Sequence, residues 1–254
     1  MPEIVYLRAD DEKLPMKQYL LVLCFLMLAV LLCSCSSSRV LRVDLREYEG
    51  LEDGSHYMMV VHQPLKENLT DTVYWSGDKT GKMEIHYDDC LAFVDVFQQG
   101  EEDGYEIRLF RCVAAIEGDK VTICARNRND VSLSGTQSNE LISGFLHQEF
   151  QEEKQMREWI TDGIEKHPND LYGAYLYSLD VLFGLMEWAT EQDLYGEETP
   201  AIHAGRLRDE INQSSSYLSR HCVALPALED VMMIGAVTPL VVKSVIGYLI
   251  PTGY

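Results

Sequence analysis

From Leu41 to about Leu133 the pattern of apolar and polar residues is that of β-strands, alternating with a period of two in places. Met83-Glu84-Ile85-His86-Tyr87-Asp88 puts Met83, Ile85 and Tyr87 on one face, and Val121 to Arg126 repeats the pattern. Tyr57 to Val61, Thr72 to Trp75, Leu91 to Phe97 and Ile107 to Ile116 are further β-branched or aromatic runs. Turn signals separate them: Glu52-Asp53-Gly54, Ser76-Gly77-Asp78, Gln99-Gly100 through Gly104, and Glu117-Gly118-Asp119. Strands at this spacing predict a small sandwich or barrel. No connection is long enough for a crossover helix, so the expected pairing is antiparallel.

After Ser138 the period lengthens. Leu141, Phe145, Phe150, Met156, Trp159, Ile160 and Ile164 recur at helical spacing until His167-Pro168. A second helix is predicted from Asn169-Asp170, where a short polar side chain caps the first N–H groups. Its apolar stripe is Leu171, Tyr175, Leu182, Leu185, Met186 and Ala189. Thr199-Pro200 opens a third, running toward Cys222. Val231 to Ile250 is mostly apolar, but Pro239 and Lys243 interrupt it. A buried strand or an aberrant tail is expected there before a second membrane span. The fold class expected is α+β: an antiparallel β-sandwich or barrel-like domain over residues 41–137, then a helical hairpin or small bundle over 138–228. Residues 229–254 form the tail.

Ahead of the strands, Met16 to Cys35 carries a Lys, an apolar run from Tyr19 to Leu32, and Leu32-Cys33-Ser34-Cys35. These are the parts of an export signal, and the run is short for a bilayer span, which takes roughly 20 residues. The ending resembles the lipobox of bacterial lipoproteins. That resemblance implies cleavage before Cys35 and lipidation of its thiol, with multiple acyl chains giving a stable membrane anchor. An uncleaved membrane anchor is the alternative. Glu3, Asp10, Asp11 and Glu12 do not suit a cationic start, so Met16 is the expected initiator and the residues before it a gene-calling error. Ser36 to Val40 reads as a tether. Lipoproteins of the Bacteroidetes type often carry an acidic cluster after the lipid cysteine when exported to the surface. Its absence here implies the cell envelope, on the outer membrane facing the periplasm.

Composition narrows the partners. Lys plus Arg number 21 against 41 Asp plus Glu, a net charge of −20. Such a surface repels phosphate backbones, and no basic run offsets it, so nucleic acid is not an expected partner. Cys90, Cys112, Cys124 and Cys222 follow the lipid cysteine, none spaced as Cys-x-x-Cys. Buried, unpaired thiols are the default expectation. Cys112 and Cys124 are the candidate disulfide, because a hairpin should bring their strands together.

The remaining candidates for chemistry are weak. His86-Tyr87-Asp88-Asp89-Cys90 gathers metal-ligand types, with His86, Asp88 and Cys90 on one strand face and His56 and His62 in reach across strands. A metal site needs three or four groups to converge, which this spacing does not show. Gly77 to Lys82 lacks the spacing of a phosphate loop and reads as a turn. Ser134-Gly135-Thr136 lacks a nucleophile's context. The acid pairs Asp88-Asp89 and Glu197-Glu198 read as solvated. Trp75, Trp159 and Trp188 read as core or interface anchors. No catalytic residue, metal site or cofactor is expected.

Ile116 to Ile123, followed by Val131-Ser132-Leu133-Ser134-Gly135-Thr136-Gln137-Ser138-Asn139-Glu140-Leu141, resembles the end of an uncharacterised β-domain that precedes thioredoxin-like domains in many Bacteroidetes lipoproteins. His167 to Tyr175 resembles the helical linker after it. The likeness spans residues 40 to 225. It implies a lipid-anchored, non-catalytic binding or accessory module, with a thioredoxin-like protein as a candidate partner. No Trp-Cys-x-x-Cys follows, so thiol chemistry is not inherited, and the chain reads as a stand-alone or truncated front half. A component of a thioredoxin-like thiol-disulfide system is the alternative.

Overall fold

In the computed structural model the described residues are 39–51, 54–66, 69–100, 106–191, 200–231, 243, 245, 246, 249 and 250. Side chains are described for all of these except 191, 200–202, 204 and 228–231. All belong to one compact unit, Ser38–Tyr254. Residues 1–38, including Cys35, lie outside the described set. The protein is α+β. Eight strands come first: β1 (Arg39–Asp44), β2 (His56–His62), β3 (Thr70–Ser76), β4 (Thr80–Ile85), β5 (Cys90–Gln99), β6 (Glu106–Ile116), β7 (Lys120–Asn127) and β8 (Asp130–Ser134). Helices follow: α1 (Gln137–Leu146), α2 (Glu153–Lys166), α3 (Leu171–Glu191), α4 (Pro200–Gln213), α5 (Tyr217–Arg220) and α6 (Ala224–Val231).

The strands form two four-stranded sheets, ordered β4-β1-β7-β8 and β3-β2-β5-β6. Five of the six pairings are antiparallel, as expected. The sixth corrects the sequence reading: β1 and β7 run parallel, with Val43 opposite Ile123. A crossover helix is unnecessary because five strands intervene in the chain between the two. Burial follows position in each sheet. Central β5 is buried from Cys90 to Val96, on both faces, whereas edge strand β3 alternates exposed and half-buried residues throughout. Met83, Ile85 and Tyr87 are buried, as are Val121, Ile123 and Ala125.

Edge strand β6 keeps its backbone partners by borrowing side chains. The Tyr48 hydroxyl donates to the Leu109 carbonyl at 2.9 Å, and Arg39 Nη1 donates to the Ile116 carbonyl at 3.1 Å. The Asn139 amide, fully buried, takes the place of a neighbouring strand: its Oδ1 accepts from Ala115 N at 3.0 Å and its Nδ2 donates to Ala115 O at 2.7 Å. Thr136 Oγ1 caps α1 by accepting from Asn139 N at 3.3 Å. Gly135, at φ +101°, makes this approach feasible, since a Cβ there would strike the Lys120 carbonyl oxygen. The Ser-Gly-Thr-x-x-Asn run is therefore a joint between sheet and helix.

The helical spacing read as one stretch from Leu141 to Ile164 is two helices, broken over residues 147–152. His147 ends α1 as its C-cap, and Gln151 N donates to the Gln155 side chain at the mouth of α2. The start expected at Asn169-Asp170 is found: Asp170 Oδ1 accepts from Gly173 N at 2.8 Å. Helix α3 buries Leu171, Tyr175, Leu176, Leu179, Leu182, Phe183 and Leu185, more than one face, because α2 and other elements surround it. Gly163 of α2 gives Leu176 room, where a Cβ would collide with its Cδ1. Beyond α4 the expected third helix gives way at Ser214, and α5 and α6 follow. In the tail, where a buried strand or an aberrant tail was expected, Lys243, Val245, Ile246 and Leu249 are helical. Val245, Ile246, Leu249 and Ile250 are buried, and the Leu249 carbonyl accepts from the Tyr175 hydroxyl at 2.6 Å. The rest of the tail lies outside the described residues. Among the described residues no helix is long and apolar enough to cross a membrane.

Candidate functional site

Two adjoining hollows share Arg126 and Asp130 and lie where sheet β4-β1-β7-β8 meets the helices. One, of about 480 Å³, opens over the outward side chains of β1 and β7 and includes Asp44, Arg46, Glu47, Cys124 and Ser132. The other, of about 630 Å³, lies under the segment joining α1 to α2, between Phe145, Phe150, Met156 and Ile250. Both fall within the size of ordinary ligand sites, about 300–1,000 Å³. Period-two alternation explains the first: with Val121, Ile123 and Ala125 inward, Thr122, Cys124 and Arg126 must point out.

Charge in the first hollow is paired within itself. Asp44, 9 % exposed, accepts from Arg46 Nε at 2.9 Å and Nη2 at 2.5 Å, and Arg42 stands 3.7 Å away. The bond from Arg46 holds the Asp44 carboxyl below the usual carboxylate range, against the opposing pull of burial. Arg126 Nε donates to Glu47 at 2.9 Å, while its Nη1 lies 3.6 Å from Asp130. Cys124 is a free, exposed thiol among these groups. Partial burial pushes its pKa up, Asp44 pushes it further, and Arg42 draws it back. The thiol form is thereby favoured over the nucleophilic thiolate.

In the second hollow His147 bridges sheet and helix. Its Nδ1 is 2.7 Å from the Ser143 carbonyl and its Nε2 is 3.3 Å from Asp130 Oδ1. A carbonyl can only accept, so Nδ1 carries the hydrogen and donates. Ser143 Oγ in turn accepts from Leu133 N at 3.2 Å, tying α1 to β8. Phe145 and Phe150 line the hollow and belong to an aromatic chain from surface to core. Trp159, 45 % exposed, meets Phe150 edge-on at 5.9 Å; Phe150 meets Phe145 at 5.6 Å, and Phe145 meets Tyr175 at 6.0 Å. Arginines, a carboxylate, an imidazole and aromatic rings in one concave strip can recognise a ligand. Asp44, Arg46, Glu47, Arg126 and Asp130 are each engaged by a neighbour, and none is set as a nucleophile–base pair.

The other residues singled out in the sequence are dispersed. Cys112 and Cys124 are both free thiols. The hairpin expected to join them does not form, because β6 pairs with β5 and β7 with β1 and β8, in different sheets. Cys90, Cys112 and Cys222 match the expectation of buried thiols, and exposed Cys124 departs from it. Burial pushes the Cys90 thiol up to about 12, and it raises Cys112 and Cys222 too. His86, Asp88 and Cys90 do not share a face: β4 stops at Ile85, leaving His86 and Asp88 exposed and Cys90 buried. Asp88 is paired with Lys66 at 3.0 Å and Asp89 with Arg39 at 2.5 Å, while His62 meets Thr70 at 2.9 Å. Among the described residues no group of three His, Cys, Asp or Glu side chains could hold a metal ion. Gly77 sits in the β3–β4 turn at φ +78°. Glu197-Glu198 lie outside the described residues. Trp75 packs against the core, Trp188 is half-buried on His203, and Trp159 meets the groove residue Phe150 edge-on.

Sequence reasoning missed Arg126, Asp130, His147 and Phe150. Asp130 opens β8 directly after the two-residue turn 128–129, and Arg126 lies next to the last residue of β7, a usable signal. His147 and Phe150 were read as part of a continuous helix, which hid the loop carrying them. Comparison with family models, with curated proteins and with solved structures gives no match for the chain.

Proposed function

We propose that this protein is a non-catalytic binding or accessory module, lipid-anchored through Cys35 in the cell envelope. The twin-hollow groove is its recognition surface. The observation that carries the reading is the groove's internal pairing: Arg46 holds Asp44, Arg126 holds Glu47 and faces Asp130, and His147 stands beside Asp130. Preorganised, mutually neutralised polar groups beside aromatic side chains favour recognition over bond making. The address is the outer membrane facing the periplasm. Mass spectrometry of the mature N-terminus from a native-type host tests it, and a diacylated or triacylated Cys35 is the expected first residue. An unprocessed N-terminus without lipid would remove that part of the reading.

A role beside a thioredoxin-like partner in thiol-disulfide exchange is the second reading, favoured by the exposed free thiol of Cys124. Its raised pKa weighs against turnover. Incubation of the full chain with an oxidised substrate and a thiol reductant separates the two: catalytic disulfide reduction that vanishes in Cys124→Ser would displace the binding module. The finer architecture we propose is a sandwich of the two sheets followed by a small helical bundle. Inward residues of both sheets belonging to one apolar cluster support it. Crosslinking between Trp75→Cys and Gly81→Cys, on neighbouring edges of the two sheets, should succeed without disturbing the far-ultraviolet circular dichroism.

A further inference from the structure

The outward face of sheet β4-β1-β7-β8 carries a row of four polar side chains, one from each strand. Lys82 pairs with Arg42, Arg42 with Thr122, and Thr122 with Ser134. Period two fixes their direction: the neighbouring Val43, Gly81, Ile123 and Leu133 are buried, so the row points away from the core. Two cations therefore stand directly opposite one another. Leu45 N donates to the Lys79 carbonyl at 2.7 Å, which makes Leu45–Lys79 a hydrogen-bonded pair. Counting along the ladder, Val43–Gly81 and Leu41–Met83 are of the same kind, and Arg42–Lys82 falls in a non-hydrogen-bonded pair, where facing side chains come closest. Like charges placed that way destabilise a sheet. An anion held between them removes that cost.

The neighbouring acids do not fill this gap. Asp44, the next outward residue on β1, accepts from Arg46 Nε at 2.9 Å and Nη2 at 2.5 Å, and Arg42 reaches it only at 3.7 Å. The Arg42 Nε is buried and has no hydrogen-bond partner, although the side chain as a whole is 29 % exposed. Exposed Lys82 meets no carboxylate within ion-pair distance among the described residues. Glu84 stands opposite Val40, diagonal to Arg42, and pairs with neither cation. In a chain carrying −20 this is a local reversal of sign. The donor set selects the anion. A planar carboxylate is satisfied by one edge of a guanidinium, whereas a phosphate offers acceptor oxygens in several directions and also suits the point charge of a lysine. We propose that Arg42 and Lys82 together bind the phosphate group of a phosphate monoester, with the Thr122 hydroxyl as a third donor.

The test is calorimetric titration of the full chain in phosphatidylcholine nanodiscs with glycerol 3-phosphate at constant ionic strength, paired with acetylation of Lys82 read by mass spectrometry. Saturable one-to-one binding and protection of Lys82 are expected, with exposed Lys154 on α2 labelled at an unchanged rate. Arg42→Gln and Lys82→Gln should each weaken binding by about tenfold or more, the scale of one charge-assisted contact. Lys82→Gln alters only an exposed side chain and keeps the test decisive should Arg42→Gln fail to fold. Glu84→Gln, which removes the diagonal acid, should tighten binding, and Lys154→Gln should leave it unchanged. Glycerol and acetate should each bind at least about tenfold more weakly than the phosphate ester. Protection of Lys82 by glycerol 3-phosphate assigns a soluble ester; protection only in nanodiscs doped with phosphatidic acid assigns a lipid headgroup. Protection by neither, undiminished binding by Lys82→Gln, or equal binding of acetate would overturn the proposal. Lys82, Arg42, Thr122 and Ser134 line neither hollow of the groove, so failure here leaves the groove standing, and a groove variant that loses its ligand leaves this row intact.

Discussion

Asp95 and Asp44 occupy matching situations in different sheets, each a poorly exposed carboxylate on a strand with two arginines beside it. Asp95 on β5 accepts from Arg111 at 2.8 Å through two separate bonds, and Arg108 lies 3.1 Å away. The two guanidinium groups lie over Phe93 and Phe97, at 5.7 and 5.6 Å from the ring centres. Asp44 on β1 has Arg46 and Arg42, with no ring beneath them among the described residues, and it borders a hollow with a thiol. The difference is where the arginines come from. Arg111 stands directly across the ladder from Asp95, in the sheet, and is 18 % exposed. Arg46 follows β1 in a loop and is 66 % exposed. One charge set thus braces a sheet, and the other lines a surface that can change partners.

Breaking each carboxylate tests this distinction. Asp95→Ala should cost about 3 kcal/mol, since it removes a little-exposed carboxylate that Arg111 bonds twice and Arg108 faces at 3.1 Å. Asp44→Ala should cost roughly half of that or less, because the arginine it releases is already in water. Urea denaturation of the two variants measures both. Equal losses would show that the loop arginine is held as firmly as the ladder arginine.

Acid sharpens the contrast on the Asp44 side. Its folded-state pKa lies below the ordinary value, first because of the bond from Arg46. A carboxyl shifted downward contributes stability that is full above its unfolded pKa, about 3.9, and is lost as pH falls through the lower folded value. The stability gap between the protein and Asp44→Asn should therefore be constant from pH 5 to 7 and close below about pH 4. Melting temperatures across that range decide it. A gap that widens on acidification would reverse the assigned shift.

How much of this was legible beforehand differs between the two regions. The inward residues of β4 and β7 could be read from alternation, because one buried face writes a period of two into the sequence. The N-cap at Asp170 was legible for a similar local reason. What could not be read depends on long-range neighbours. The parallel β1–β7 pair is set by how the intervening strands are shared between sheets, which leaves no local trace. The break at residues 147–152 was concealed because Phe145, Phe150 and Met156 keep an approximate helical rhythm while belonging to two helices and a loop. Asn139 was visible only as part of a resemblance, and its use as a substitute strand for Ala115 needed the fold. The groove inherited these blind spots, being assembled from a sheet face, a turn and that loop.

Cys124 provides the finest probe of the Asp44 cluster. Its thiol is raised by burial and then by Asp44, and is drawn down by Arg42 and Arg46. Asp44→Asn removes the second cause and releases both arginines toward the sulfur, so the thiolate fraction near pH 8 should rise. Iodoacetamide alkylation at Cys124 should accelerate by about twofold to fivefold, read site by site by mass spectrometry. Asp95→Asn, which touches no part of that hollow, should leave the rate alone. Cys90, Cys112 and Cys222 should label only when the fold opens, because each is buried. An unchanged Cys124 rate in Asp44→Asn would mean that the loop arginine, by moving into water with its charge, decouples the carboxylate from the thiol. The surface cluster would then be looser than even its exposure implies.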